Sequence, residues 1–506
     1  MEKTKNFPTF KKQTIINMTK KRPSTSRRKF LKTTALASGS FMIVPRHVLG
    51  KGFTAPSDKL NLAAIGAGGK GFGDIKNSYD NGANNVVALC DVDSKAAVRA
   101  RTLFPKAKFY KDFRVMLDEM KEIDAVTIST PDHVHGVAAM SAISLGKHVY
   151  VQKPLTHNIY EARQLTNAAR KYKVVTQMGN QGASHPGQVQ MQKWFDEGLI
   201  GNVHTVEVWT NRPVWPQGIP APTEMPALPD HLSKKDWDLY IGPAEHVNYH
   251  PLYYHFKWRG WWNFGTGALG DMGCHMIDSP FRVLGLSYPT EVEASVGAIY
   301  KRDWNPEYIP EGCPPSSRVQ ITFPKSAKNN TKVKMIWTDG GLRPFHPDLI
   351  PASDDLGEEG GKNGIMMIGD KGVITSGVYG IKPRLYRKDE EVLTMPEDFD
   401  GGNKYFDYPE IGHQKFWTEA CKAGFDSKEH QGLTSSFDYS GPLTETVLMG
   451  NLAIRSYQLF KPKLLGGKDF YGRKKLLWDG EAMKVTNLEE ANQFVTRPYR
   501  EGWKLI

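Results

Sequence analysis

Asp271 and His275 stand four residues apart within residues 267–278, a spacing that sets both side chains on one face of a helix. Asp278, three residues beyond His275, falls on a similar side. Imidazole is suited to take up a hydroxyl proton near neutral pH, and a nearby carboxylate can orient a substrate or raise the basicity of the ring. Such a pair could serve the oxidation of a secondary alcohol, in which a base takes the hydroxyl proton while hydride leaves carbon. Just before it, Trp258, Arg259, Trp261, Trp262 and Phe264 crowd together. Trp262 offers a flat face to the apolar side of a sugar ring, and Arg259 could grip a hydroxyl or a carboxylate. The hydride needs an acceptor, and the N-terminal half of the chain supplies the elements that would hold one.

Leu60, Leu62, Ala63, Ala64 and Ile65 form a short apolar run, the pattern of a strand buried on both faces of a parallel sheet. Residues 66–71 follow as G-x-G-x-x-G. There Gly66 permits the tight turn, Gly68 lets backbone approach a pyrophosphate, and Gly71 lets the helix sit close to its strand. The pyrophosphate would lie on the N-terminus of a helix starting near Gly69. A second apolar strand, 86–90, ends at Asp91, about twenty residues beyond the last glycine, where the acid that binds the adenine ribose should stand. A carboxylate there accepts from the ribose hydroxyls and repels a 2′-phosphate, so the pattern favours NAD over NADP. Asp93 could substitute for Asp91, but its position fits better as the cap of a helix over 94–104.

Alternation continues with strands expected at 124–129, 148–152 and 173–178 and helices at 134–145 and 159–172. This pattern implies a parallel sheet with right-handed crossovers and ligands outside the carboxyl ends of its strands. Two loops occupy those ends, Thr130-Pro131-Asp132-His133-Val134-His135 and Gln152-Lys153-Pro154. With the glycine turn, the acid after the second strand, and Gly146-Lys147-His148-Val149-Tyr150-Val151-Gln152-Lys153-Pro154-Leu155, the chain resembles the glucose-fructose oxidoreductase / inositol dehydrogenase / MocA family over residues 60–278. The resemblance implies an α/β protein: a Rossmann domain with a doubly wound parallel sheet, then an α+β domain with a large, open, mostly antiparallel sheet whose free face often serves oligomerisation. It implies that Lys153 lies beside substrate and nicotinamide, that His275 is the acid/base and that Asp271 helps hold the substrate. It also brings Thr130, Pro131, His135 and Gln152 to the cofactor. The chain departs from the family at Gln152, where Glu is usual. An amide still bonds a ribose hydroxyl but gives the neighbouring lysine no negative charge.

His133 and His135 form an H-x-H pair without an evident third ligand, so no metal site is expected; His135 should face the cofactor site or cap the helix. After 186–197, read as a helix, residues 203–210 alternate as a half-buried strand, and 215–230 form a proline-rich loop. Further strands are expected at 291–297, 318–323, 333–337 and in 364–375, with helices at 411–423 and 442–459 and an ordered terminal arm at 478–503. The domain reading is 1–55 signal and linker, 56–180 dinucleotide domain, 181–440 substrate and oligomerisation domain, and 441–506 a helix and arm packed on the body.

The net charge of +12 invites a nucleic-acid reading, which its location removes. Residues 1–55 hold 13 of the 66 basic residues and only Glu2 of the 54 acids, leaving 53 of each in the body. Within that segment, Ser26-Arg27-Arg28-Lys29-Phe30-Leu31-Lys32 precedes a modest apolar run at 33–44, too short to span a bilayer. It looks like a twin-arginine export signal, with cleavage expected between Gly50 and Pro56 and no membrane span in the mature form. Export of a folded protein implies a cofactor loaded in the cytoplasm and then held tightly. Cys90, Cys274, Cys313 and Cys421 show no C-x-x-C spacing and imply neither zinc nor a dense disulfide framework. The reading is an exported oxidoreductase acting on a sugar, sugar acid or cyclitol, with a homo-oligomer implied by the resemblance. Its rivals are a glycoside hydrolase or lyase that retains NAD for transient oxidation, and a catalytically silent carbohydrate-binding protein on the same fold.

Overall fold

The computed structural model of the protein describes residues 58–464 and 467–505. The twin-arginine segment and its expected cleavage site lie outside the described residues. Six strands, β1 (Asn61–Ile65), β2 (Asn85–Cys90), β3 (Lys108–Tyr110), β4 (Ala125–Ile128), β5 (His148–Val151) and β6 (Thr176–Met178), form a parallel sheet in the order β3-β2-β1-β4-β5-β6. In β1 alternate side chains serve opposite faces: Ala63 and Ile65 join one apolar core, Leu62 and Ala64 the other. Burial on both sides explains why this strand reads as an unbroken apolar run.

Six helices position the candidate residues and their supports: α1 (Gly69–Tyr79), α2 (Asp132–Ser144), α3 (Ile159–Tyr172), α4 (Gly267–Met276), α5 (His413–Ala423) and α6 (Phe437–Ser456). Helix α1 covers one face of the parallel sheet, while α2 and α3 cover the other. Helix α5, assigned from sequence to the second domain, packs Trp417, Ala420 and Cys421 into the core that holds Leu62 and Ile75 of the first.

A second, ten-stranded sheet comprises β7 (Val203–Trp209), β8 (Glu291–Val296), β9 (Ser317–Phe323), β10 (Val333–Thr338), β11 (Gly364–Gly369), β12 (Gly372–Ser376), β13 (Arg384–Arg387), β14 (Leu393–Thr394), β15 (Leu476–Asp479) and β16 (Lys484–Val485). Its order is β14-β13-β12-β11-β7-β10-β9-β8-β15-β16, and every pairing is antiparallel except β7 with β10. Register follows the alternation of the sequence, with Val319 opposite Trp337, Ile321 opposite Met335 and Phe323 opposite Val333, all buried on one face.

Helix α6 lies against that face and against α3, and so joins the two halves. Small residues allow the approach to α3 and to α4: a Cβ on Gly441 would come within 2.1 Å of Thr166 on α3, and one on Gly450 within 2.4 Å of Leu269 on α4. The sequence places the start of this helix at Pro442, whereas the structure starts it at Phe437 with Pro442 inside. The proline forfeits one helical hydrogen bond, and burial of Phe437 and Ser440 holds the extra turn in place. The shortfall at β6, three residues rather than six, comes from Lys173, which caps α3 with φ 52° and delays the strand.

One buried carboxylate is a principal tie between the terminal arm and the body, beside Arg500 on Asp238 and Trp503 on Phe113. Glu161, fully buried on α3, accepts from Arg497 Nη2 at 2.8 Å and Nε at 3.0 Å and from the Tyr499 hydroxyl at 2.8 Å. Arg497→Ala leaves that carboxylate buried without its cation and should lower stability by about 3 kcal/mol, read as a shift in urea midpoint. A midpoint unchanged from the parent would show that the arm is only draped on the surface.

Candidate active site

The glycine turn at the end of β1 is fixed by contacts no side chain could share. Gly66 has φ +79°, and a Cβ there would fall 2.6 Å from the Ser129 carbonyl; one on Gly71 would fall 1.8 Å from the Gly66 carbonyl. Backbone therefore forms the wall of a cleft of about 600 Å³ across the carboxyl ends of the parallel strands, lined among others by Gly68, Asp91, Thr130, Pro131, Lys153 and His275. Asp91 at the end of β2 accepts from the Gly68 amide at 3.0 Å and the Asp93 amide at 2.9 Å. Burial pushes its carboxyl up to about 6 against the pull of those amides, so at neutral pH it is mostly ionised. Asp93 caps the following turns through the Lys95 and Ala96 amides and accepts from the Tyr254 hydroxyl at 2.8 Å. Burial would raise its pKa, but Tyr254 and those amides hold it below the usual carboxylate range.

Lys153, just beyond β5, reaches across to α4. Its Nζ donates to Asp271 Oδ1 at 2.9 Å and to the Asp271 backbone carbonyl at 2.6 Å. Arg259 Nε donates to the same Oδ1 at 3.1 Å, whereas among the described residues Oδ2 has only Arg212 Nε, 4.0 Å away. Burial alone would raise the Asp271 pKa; Lys153 and Arg259 overcome it and hold the carboxyl well below the usual range. His275, one turn further along α4, is 5% exposed and lines the cleft. Burial first, then the Lys153 ammonium, push its pKa well below the ordinary histidine value, with Asp271 opposing. The ring is therefore a neutral base at physiological pH. Its Nδ1 meets no hydrogen-bond partner among the described residues, and Tyr379 packs edge-on against it with ring centroids 4.8 Å apart.

Gln152 turns out to be tied to a carboxylate from another helix. Its Nε2 donates at 2.8 Å to Asp74 Oδ2, a fully buried carboxylate on α1 that also receives Ser129 Oγ at 2.9 Å, Lys70 Nζ at 2.8 Å and Gln414 Nε2 at 2.9 Å. A glutamate at 152 would set two carboxylates against each other there. The negative charge lies instead on Asp74, and the amide links it to the Lys153 loop.

Not every expected residue reaches the cleft. His135 is buried with its ring nitrogens 2.9 Å from the Thr130 carbonyl and 2.8 Å from the Pro154 carbonyl, wedged between the two loops that line the cleft. His133 lies between the carbonyls of Phe264 and Tyr240, pushed down to about 3 by burial and Arg497. Asp278 is buried in a separate cluster, paired with Arg282 at 2.9 Å and receiving the Tyr439 hydroxyl at 2.5 Å. Trp262 faces away from the cleft into another cavity. Conversely, Asp74, Lys70, Tyr379 and Tyr254 were missed. The Lys70/Asp74 pair, four apart on α1, carries the same spacing signal as Asp271/His275; Tyr379, at φ +67° in a short turn, carries none.

Residues 60–180 match the Gfo/Idh/MocA oxidoreductase family over its NAD-binding Rossmann fold, and residues 190–302 match that family's C-terminal alpha/beta domain. Levoglucosan dehydrogenase of Pseudarthrobacter phenanthrenivorans is 24% identical over 39% of this chain and 42% of its own length. Inositol 2-dehydrogenase of Salmonella typhimurium is 29% identical over 23% of this chain and 35% of its own. The chain thus spans less than half the length of these curated relatives. Among solved structures, levoglucosan dehydrogenase in complex with NADH superposes with a TM-score of 0.51 at 17% identity, covering 78% of this chain and 96% of that one. An inositol dehydrogenase homologue from Azotobacter vinelandii, complexed with NADH and myo-inositol, gives 0.53 at 15% identity, covering 78% and 95%. At these identities the superpositions show the fold: a Rossmann sheet followed by a mostly antiparallel one.

Because all the groups around Asp74 are donors, Asp74→Asn gives some of them a donor to face. It should lower stability by about 2 kcal/mol, seen as a reduced urea midpoint; full retention would show the buried carboxylate to be dispensable.

Proposed function

The chain belongs to the Gfo/Idh/MocA family of oxidoreductases, and from that premise we propose that it is an exported enzyme passing hydride between a tightly held NAD and a hydroxyl-bearing carbon of a sugar, sugar acid or cyclitol. The observation that carries this reading is the meeting of Lys153 and His275, from different halves of the chain, in one cleft above the glycine turn.

The cleft suits a dinucleotide on its own geometry. A Cβ on Gly66, Gly68 or Gly71 would meet Ser129, Ala96 or the Gly66 carbonyl, so glycine keeps this turn tight, and at Gly69, where a Cβ would meet nothing within 4 Å, the start of α1 borders open cleft where a pyrophosphate can lie. Asp91 keeps lone pairs for ribose hydroxyls and its charge disfavours a 2′-phosphate, which supports NAD over NADP. Thr130, Pro131 and Gln152 border the part of the cleft nearest Lys153. Bound there, the nicotinamide supplies the hydride acceptor. The chain's own residues do the rest. Neutral His275 takes the substrate hydroxyl proton. The Lys153 ammonium, fixed by two bonds to Asp271, steadies the same oxygen as negative charge develops on it. Asp271 orients Lys153 through Oδ1 and offers Oδ2 to a neighbouring substrate hydroxyl.

Export rests on the twin-arginine pattern at 26–32. Outside the cytoplasm no free nicotinamide pool restores the cofactor, so turnover must be redox neutral or use a second substrate. That constraint favours one second reading, a glycoside hydrolase or lyase that oxidises its substrate transiently with retained NAD. The partner class in either case is a carbohydrate, and the family resemblance favours a homo-oligomer.

Denaturing the purified protein and weighing the released nucleotide should yield NAD; release of none would sink both catalytic readings. Challenge with free sugars and nitrophenyl glycosides then separates them, since oxidised sugar marks the dehydrogenase and phenol release the hydrolase. His275→Ala should lower turnover by about 100- to 1,000-fold with nucleotide content unchanged, and full activity in that variant would refute the assignment. Because burial and Lys153 disfavour the His275 imidazolium, the base form persists to lower pH than for a free histidine. The kcat/KM for oxidation should therefore stay level through about pH 6.5 and fall only as pH drops further. An acid limb centred above that value would contradict the role.

A further inference from the structure

We propose that the cavity between Trp262 and Arg455 is a second ligand site, separate from the cleft and shaped for an acidic saccharide. It measures about 900 Å³ and shares no lining residue with the cleft that holds Lys153 and His275. Its size falls within the range that accommodates small-molecule ligands.

Aromatic rings from four parts of the chain line it: Trp262, Tyr308, Phe460 and Phe470, and Phe494. At the lip stand Tyr300, 60% exposed, and Trp304, 97% exposed. Exposed flat aromatics of this kind offer faces on which the C–H side of a pyranose ring stacks.

Charge narrows the class. The lining contains three cations, Arg455, Lys468 and Arg473, against one acid, Glu307, which is itself 3.9 Å from Lys301. Among the described residues none of the three meets a carboxylate. They are held over rings instead: Arg455 lies 4.3 Å from the centroid of Phe494 and 5.5 Å from that of Trp262, Arg473 3.9 Å from Phe470, and Lys468 4.1 Å from Tyr308. Arg455, in the last turn of α6, is the most costly, since burial pulls its pKa down to about 10. A carboxylate placed on its guanidinium would restore the missing counter-charge through two parallel hydrogen bonds. Beneath it a small adjoining cavity shares Trp262, Arg455 and Phe494 and is lined by Asn451. The Asn451 amide donates to the Thr266 carbonyl at 2.8 Å, while its Oδ1 is buried without a hydrogen-bond partner. A cation for a carboxylate, the side-chain amides of Gln458 and Gln493 for hydroxyls and flat faces for a ring together describe a uronic acid.

Isothermal titration of the purified chain with D-galacturonate, D-galactose and benzoate tests this. Saturable binding is expected for galacturonate, with galactose and benzoate each at least about tenfold weaker, the effect of losing the charge-assisted contact in galactose and the hydroxyl contacts in benzoate. Arg455→Met should weaken galacturonate binding by a similar factor, and Arg473→Gln, at an exposed position, covers the case in which the first variant does not fold. Lys153→Met, which disables the cleft, should leave this binding intact. The proposal fails if galacturonate does not bind, if benzoate binds as well, or if binding follows Lys153 and ignores both arginines.

Discussion

The contact on which the rest depends is the ion pair between Lys153 and Asp271, 2.9 Å apart, with side chains only 14% and 12% exposed. Two charges withdrawn this far from water recover their hydration only if geometry is tight and other polar groups complete their shells. Here Lys153 takes both an oxygen and the backbone carbonyl of Asp271, and Arg259 adds a second cation to the same oxygen. The two residues lie 118 positions apart in sequence, one after the last-but-one strand of the parallel sheet and one on the helix that leads into the antiparallel sheet. Closing the pair therefore fixes the two halves around the cleft. With Arg212 nearby, cations exceed anions in this cluster. That excess disfavours protonation of His275 and favours negative charge on an oxygen beside it, so the bond that assembles the cleft also sets its electrostatics.

A second layer of charge lies below. Asp74 binds four donors from α1, the β4 and β5 loops and α5. It compensates the neutral amide at Gln152 without crowding Lys153, leaving that lysine to Asp271 alone. Two carboxylates on separate helices thus divide a task that a single loop glutamate would perform, and each is satisfied by a different set of donors.

What the sequence made legible depends on range. The strand and turn at 60–71 announce themselves because sheet burial and the close backbone contacts at Gly66 act on adjacent residues. The i, i+4 spacing of Asp271 and His275 is equally local. Asp74 stayed hidden because its partner Gln414 lies 340 residues away, and an acid in a short polar helix otherwise looks solvated. Trp262 and Arg259 looked equivalent in sequence. Only two residues separate them, yet the chain between turns from the 3-10 segment His255–Gly260 into an isolated bridge at Trp261, so they face different cavities. Tyr379 was illegible for another reason: its left-handed backbone, over Gly182 where a Cβ would meet it at 2.6 Å, is imposed by tertiary packing.

The long stretch between β7 and α4 carries most of the cleft's roof with little regular structure. It is ordered in part by its own buried core, Trp237, Tyr240, Tyr254, Trp258, Trp261 and Phe264 among others, and in part by the parallel half. The His133 ring on α2 lies between the carbonyls of Tyr240 and Phe264, its one N–H free to bond either, its backbone amide donates to the Phe264 carbonyl at 3.2 Å, and Thr266 donates to buried Asp132 at 2.6 Å. Earlier in the stretch, Tyr254 is pinned to Asp93. A segment tied by such buried polar bonds to the Rossmann half over residues 240–266 has few ways to drift there. Thr266 stands one residue before α4, so the same bonds that order the roof also set where α4 begins, and with it the positions of Asp271 and His275. His133, half of the H-x-H pair that could have been read as a metal site, is in this way part of the anchor for the helix that carries Asp271 and His275.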